Sequence, residues 1–241
     1  GTQFSVAGTA LTIAAQDYES PGCGSGADSL TCVVVLAATD AGSTHSTAHT
    51  ITVTITDADE FDATAPTDSN SATNTVAENA AVAATVGLTA LSADADGGTN
   101  TITYTVSAQS CTGVLGVDSS TGVVTVAATT NLDYETATAC TVEITATSAD
   151  TSTAATTFTV AVTDIDEFDV STPTDSDTTA DTVAENAADD TAVGVTGSAS
   201  DADGSTNTIT WTMTSGTTAC DDFFDIGSSD GIVRVDGTSE M

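Results

Sequence analysis

Hydrophobic and polar residues alternate with a period of two along most of this chain. Thr50-Ile51-Thr52-Val53-Thr54-Ile55-Thr56 sets Ile and Val against Thr, and Thr157–Thr163, Thr101–Val106 and Thr208–Met213 follow the same scheme. Strict alternation of β-branched residues with Thr predicts half-buried strands, with the aliphatic side inward. Gly-bearing turns such as Asp118–Gly122 and Ser228–Gly231 separate these segments, and no stretch has the spacing of an amphipathic helix. Short strands with regular turn signals over about 100 residues predict an all-β chain of β-sandwich type.

The pattern also repeats on a longer scale. Thr75-Val76-Ala77-Glu78-Asn79-Ala80 returns as Thr182-Val183-Ala184-Glu185-Asn186-Ala187, an offset of 107. Asp94-Ala95-Asp96-Gly97 returns as Asp201-Ala202-Asp203-Gly204, and Asp57–Asp62 as Asp164–Asp169, at the same offset. The repeat is therefore the structural unit. Residues 1–61 match the second half of a repeat, 62–168 form a complete one, and 169–241 match roughly the first two-thirds of another. The two partial repeats need completion, either by further sequence of a longer parent or by strands of a neighbouring subunit. Phe4–Ile13 and Phe224–Val235 encode the same strand–turn–strand region, which favours an excerpt of a long array. The start without Met fits either a mature product or an excerpt.

Charge narrows the partners. Thirty-five acidic residues face a single basic one, Arg234, for a net charge of −34. Nucleic acid is excluded, because phosphate binding needs Lys and Arg, and adsorption to anionic membranes is disfavoured. A hydrophobic content of 39% and the regular apolar pattern argue against the disorder that such acidity would otherwise suggest. No run of 18 apolar residues is present to span a membrane, and no secretory leader opens the chain. Five cysteines point to an oxidising, extracellular setting. Cys111 and Cys140 share the complete repeat and are the natural pair; Cys220 and Cys32 are their counterparts one repeat away. Cys23, in a Gly/Ser-rich insertion, is a candidate partner for Cys32, although spacing alone leaves connectivity open.

Carboxylates are what the repeat keeps most faithfully, which points to a cation. In an extended Asp164-Ile165-Asp166-Glu167-Phe168 segment, Asp164 and Asp166 project to one side and Glu167 to the other, leaving backbone carbonyls free. Hard Ca²⁺ takes six to eight such oxygens in flexible geometry, whereas Mg²⁺ demands a stricter octahedron. Two carboxylates 4 Å apart repel by about 4 kcal/mol at an effective dielectric near 20, so a cluster of them calls for counter-charge.

Val76-Ala77-Glu78-Asn79, Leu132-Asp133-Tyr134-Glu135, Asp164-Ile165-Asp166-Glu167-Phe168 and Asp201-Ala202-Asp203-Gly204 follow one another in the order and spacing of a known family. The repeat resembles a cadherin domain, in the diverged form common in large bacterial surface proteins. The resemblance implies tandem seven-stranded Greek-key sandwiches set end to end, with Ca²⁺ at the junctions. It implies that one junction collects Glu78, Asp133, Glu135, Asp164, Asp166, Glu167, Asp201, Asp203 and Asn207. The other would take Asp17, Glu19, Asp57, Asp59, Glu60, Asp94, Asp96 and Asn100. Two or three ions per junction are expected. The chain departs from the family in several places. Phe61 and Phe168 stand where the linker motif ends in Asn, and their rings are expected to pack at the base of the sandwich. Tyr18 and Tyr134 stand in place of Arg. Ser148 replaces a late-repeat Asp, with Asp150 as its substitute.

Other chemistry is poorly supported. His45 and His49 have a helical spacing in a non-helical neighbourhood, and no nucleophile elbow, phosphate loop or His-anchored triad occurs. The expectation is a non-enzymatic, calcium-stiffened extracellular stalk or adhesin. Its partners would be neighbouring repeats or subunits, or a cell-surface glycan or protein. The alternatives are a filament protomer completed by its neighbours, a glycan- or ice-binding module, and an appendage of a secreted hydrolase.

Overall fold

The computed structural model describes residues 4–7, 10–19, 30–39, 41–42, 46–97, 100–128, 132–214 and 223–237. Its regular elements are all strands: β1 (Phe4–Ala7), β2 (Ala10–Ile13), β3 (Leu30–Thr39), β4 (Ser46–Ile55), β5 (Thr67–Asp68), β6 (Thr75–Ala77), β7 (Thr85–Leu91) and β8 (Thr103–Gln109). They continue as β9 (Leu115–Val117), β10 (Val123–Val126), β11 (Ala139–Thr147), β12 (Thr153–Thr163), β13 (Thr174–Asp175), β14 (Ala192–Ser198), β15 (Phe224–Ile226) and β16 (Ile232–Val235). The chain divides into two compact units, one of Gly1–Val76, Ala80–Asn131 and Ala139–Ala161, the other of Ala77–Asn79, Leu132–Thr138 and Val162–Met241.

The predicted alternation becomes a packed core in the first unit. Two four-stranded sheets, β5-β7-β10-β9 and β6-β12-β11-β8, give the Greek-key sandwich. Val86, Leu88, Ala90, Val124, Val126, Val142, Ile144, Ala146 and Val160 are at most 1% exposed. Burying each of the larger aliphatic side chains contributes about 1.5–3 kcal/mol. Cys111 and Cys140 are joined as a disulfide across a separation of 29 residues, with Cα atoms 5.4 Å apart. Closing a loop of that length restricts the unfolded chain by roughly 3–4 kcal/mol.

Seven strands were expected in the complete repeat and eight segments are present, because the first strand is split between sheets. β5 pairs with β7 (Thr67↔Leu91) while β6 lies beside β12. Asp68 pins the split by accepting the N–H groups of Asn70 (2.9 Å) and Thr89 (3.2 Å). The crossing chain then runs so close to Gly87 (φ +81°) that an added Cβ would lie 2.3 Å from the Thr73 carbonyl oxygen. Only glycine satisfies both that backbone and that approach.

The partial repeats reproduce pieces of this plan. β3 and β4 form a two-stranded ladder whose Cys32↔Val53 register matches Cys140↔Val160 of β11 and β12. Phe4↔Ile13 and Phe224↔Val235 are both hairpin pairs, as the sequence duplication predicts. Cys32 is disulfide-bonded; Cys23, Cys220 and His45 lie outside the described residues. In the second unit the sheet order is β13-β14-β16-β15. Thr208–Met213 corrects the strand prediction, since it has no strand pairing. In the complete repeat β8 gains its ladder from β11. Among the described residues nothing plays that part for 208–213, and alternation without a partner strand is not a strand.

Candidate metal centre

In the second unit, ligand oxygens of Glu78, Glu135, Asp164 and Glu167 all lie within 4.8 Å of one another. Backbone donors hold them there. Glu78, at the end of β6 and 6% exposed, accepts the N–H groups of Tyr134 (2.7 Å) and Ile165 (2.6 Å). Glu135 accepts from the Gly204 N–H at 2.7 Å, and Asp164 from the N–H of Ser205 at 2.7 Å as well as its hydroxyl. Asp203, 1% exposed, accepts from Glu167 N–H (3.1 Å) and Phe168 N–H (3.3 Å) through Oδ1. Its Oδ2 and the Oδ1 of Asp164 are buried and have no hydrogen-bond partner among the described residues. Asp201 orders the loop by accepting the Asp203 N–H at 3.2 Å.

The first unit gathers acids in two clusters that share Asp96. Glu19, Asp57 and Asp96 place oxygens within 4.8 Å of one another, and so do Asp59, Asp96 and Asp150. Asp96 is fully buried and accepts from Glu60 N–H (3.3 Å) and Phe61 N–H (3.0 Å). Asp94 accepts the Asp96 N–H at 3.0 Å and the Ser148 hydroxyl. Ser148 thus orients an acid in the place where the motif has one of its own, and Asp150 from the β11–β12 turn supplies the carboxylate. Glu19 accepts the Gly97 N–H at 3.0 Å.

Some candidates serve their own turns. Asp133 accepts the N–H (3.1 Å) and hydroxyl (2.9 Å) of Thr136, and Asp17 accepts the Glu19 N–H at 3.1 Å. Asn100 and Asn207 are exposed. The rings of Phe61 and Phe168, expected to pack at the base of the sandwich, are 46% and 44% exposed. Their backbone N–H groups, rather than their rings, join the site, since only the amide can reach the buried Asp.

Crowding appears in the titration of these acids. Glu167 is raised above the ordinary Glu value by lost hydration and then by the charges of Glu78, Glu135, Asp203 and Asp164. Glu60 is raised by lost hydration and by Glu19, Asp96, Asp57 and Asp17, and Asp59 by lost hydration and Asp150 and Asp96. The Asp203 carboxyl beside Asp166 is the main cause of that residue's upward shift. For Asp203 burial is the largest influence and pushes upward, yet hydrogen bonds with the Glu167 and Phe168 N–H groups and with Asp166 and Asp201 together hold the pKa below its usual value. Hard oxygens gathered around orphaned, buried carboxylate atoms fit a divalent cation better than they fit one another.

A two-sheet sandwich, pieces of the same plan before and after it in sequence, and clustered acids in each unit define the class. Residues 72–163 match the Cadherin domain family model. The fold is similar to the protocadherin gammaB7 EC3–6 cis-dimer structure, at 18% identity over 98% of this chain and 57% of that one, with a TM-score of 0.70. Mouse cadherin-23 EC22–24 matches at 21% identity over 93% and 67%, with a TM-score of 0.60. Mouse protocadherin-24 EC1–3 matches at 20% identity over 99% and 74%, with a TM-score of 0.62. The chain thus spans a little over half of the first of these, 57%. No curated protein sequence matches it. Cadherin domains are structural and adhesive rather than enzymatic, are typically extracellular, and generally bind Ca²⁺. Among the described residues no helix is long and apolar enough to cross a membrane.

Proposed function

We propose that this chain is a calcium-stiffened extracellular repeat array, the stalk of a surface adhesin, with Ca²⁺ bound between successive repeats spanning 1–61, 62–168 and 169–241. The observation that carries this reading is Asp203, whose carboxylate is 1% exposed and retains a buried oxygen without a partner among the described residues. Leaving a buried charge unsatisfied costs several kcal/mol, so such an atom implies a cation beside it. Glu78, Glu135, Asp164, Asp166, Glu167 and Asp203 would hold the ions in the second unit, and Glu19, Asp57, Asp59, Asp96 and Asp150 those in the first. Bound Ca²⁺ supplies the positive charge that lets these acids stay ionised together. The residues of the chain do the positioning: backbone N–H groups of the linker clamp the following Asp, and the Asp-Tyr-Glu turn clamps the preceding Glu. A linker held at both ends fixes the angle between neighbours, which turns a flexible string into a rod.

Calorimetric titration of the whole chain with CaCl₂ tests the assignment. Wild type should bind two or three ions at each junction, and Asp203→Asn should lose binding at one junction alone. Equal stoichiometry in the two proteins would remove Asp203 from the site.

A further inference from the structure

The two tyrosines that stand where the family has Arg do something the metal reading does not use. At each cluster the Cδ1–Cε1 edge of the ring lies against a glycine of the Asp-Ala-Asp-Gly loop. A Cβ on Gly204 would sit 2.6 Å from both Cδ1 and Cε1 of Tyr134, and one on Gly97 would sit 2.7 Å from Cε1 of Tyr18. The neighbouring Glu closes the other side, with Gly204 N–H donating to Glu135 at 2.7 Å and Gly97 N–H donating to Glu19 at 3.0 Å. Neither glycine needs a left-handed backbone, so close approach is what glycine provides here. Tyr18 is 9% exposed and Tyr134 is half-buried.

We propose that Tyr18–Gly97 and Tyr134–Gly204 are cation-independent latches that position the Asp-Ala-Asp-Gly loop on the Asp-Tyr-Glu turn. The proposal rests on the calcium reading, and adds that the ligand cage stays assembled when the ion leaves. An aromatic ring on a glycine backbone is held by burial, which salt and chelator leave untouched. The Glu hydrogen bond restrains the same loop from within the same turn. The latch offsets part of the carboxylate repulsion and keeps the site preorganised for the next ion. An Arg in place of Tyr would offer a charge to the acids and no apolar ring edge to the glycine. The latch therefore belongs to this variant of the motif.

Hydrogen exchange of the whole chain, read in peptides covering 164–168 and 199–207, tests the latch in calcium and in chelator. In chelator, Tyr134→Ala should exchange about tenfold faster than wild type there, the loss expected for an aromatic contact of 1–1.5 kcal/mol. Tyr134→Phe should match wild type, and Gly204→Ala, which drives the ring away from the other side, should match Tyr134→Ala. In saturating calcium all four should exchange alike. Equal exchange of Tyr134→Ala and wild type in chelator overturns the latch even if calcium protects both. If calcium protects none of the proteins, the metal reading fails, and the comparison in chelator still decides the latch.

Discussion

Glu78 and Glu185 sit in the same six residues, Thr-Val-Ala-Glu-Asn-Ala, yet the first is 6% exposed and the second is exposed to solvent. Glu78 has the N–H groups of Tyr134 and Ile165 to accept; Glu185 has no such donor among the described residues. The wider regions differ in the same way. The complete repeat closes two sheets over a core with residues at 0–1% exposure. The β13–β16 region instead has an open pocket of about 240 Å³ lined by Val183, Val193, Val195, Phe224 and Val233 together with Asp181 and Thr182. The acidic motif is therefore only one wall of a site, and the Asp-Tyr-Glu turn and the linker after the last strand supply the others.

Mutation of the two glutamates should separate them. In calcium, Glu78→Ala strands two backbone donors and should destabilise the chain by about 3 kcal/mol, measured by urea unfolding, since bonds to a charged group contribute about 1.5–3 kcal/mol each. The same measurement on Glu185→Ala should change stability by less than about 0.5 kcal/mol, as exposed substitutions do. Similar losses at both positions would show that the motif alone makes the site.

A smaller effect, of unusual sign, is expected from pH. Glu60 and Glu167 have folded pKa values raised above 4.5, so in chelator the folded chain binds more protons than the unfolded chain in that window. Their unfavourable contribution is then present at neutral pH and is relieved as pH falls toward 4.5, so acidification should stabilise the junctions. Asp150 and Asp203 are lowered and act in the opposite direction, but only at still more acid pH, as they pass through their depressed values. In calcium the sign should reverse, because protons then compete with the ion. Melting curves between neutral pH and pH near 5, with and without chelator, read both slopes.

Much of the fold was legible because strand alternation is a local property. β4, β8 and β12 take up most of three of the Thr-alternating segments, and Cys111 pairs with Cys140 as repeat position suggests. The failures were non-local. Thr208–Met213 alternates as well as Thr101–Val106, but a ladder needs a second strand. The split of β5 from β6 depends on Asp68 and Gly87; both recur, as Asp175 and Gly194, but neither reads as a strand break. At the site, motif spacing led to Glu78, Glu135, Asp164 and Glu167, which converge, and could not separate them from Asp133, which caps its own turn. The tyrosine contact left a visible trace, a Gly after each Asp-Ala-Asp, whose meaning needed the three-dimensional approach.

Thermal unfolding of the whole chain in millimolar Ca²⁺ and again in chelator tests the central claim most directly. Ions bound only by the folded chain stabilise it by about 2.7 kcal/mol per site at a hundredfold excess over Kd, so calcium should raise the melting temperature by several degrees. An identical melting temperature in the two buffers would mean that the clustered acids hold no calcium, and the stiffening mechanism would be wrong.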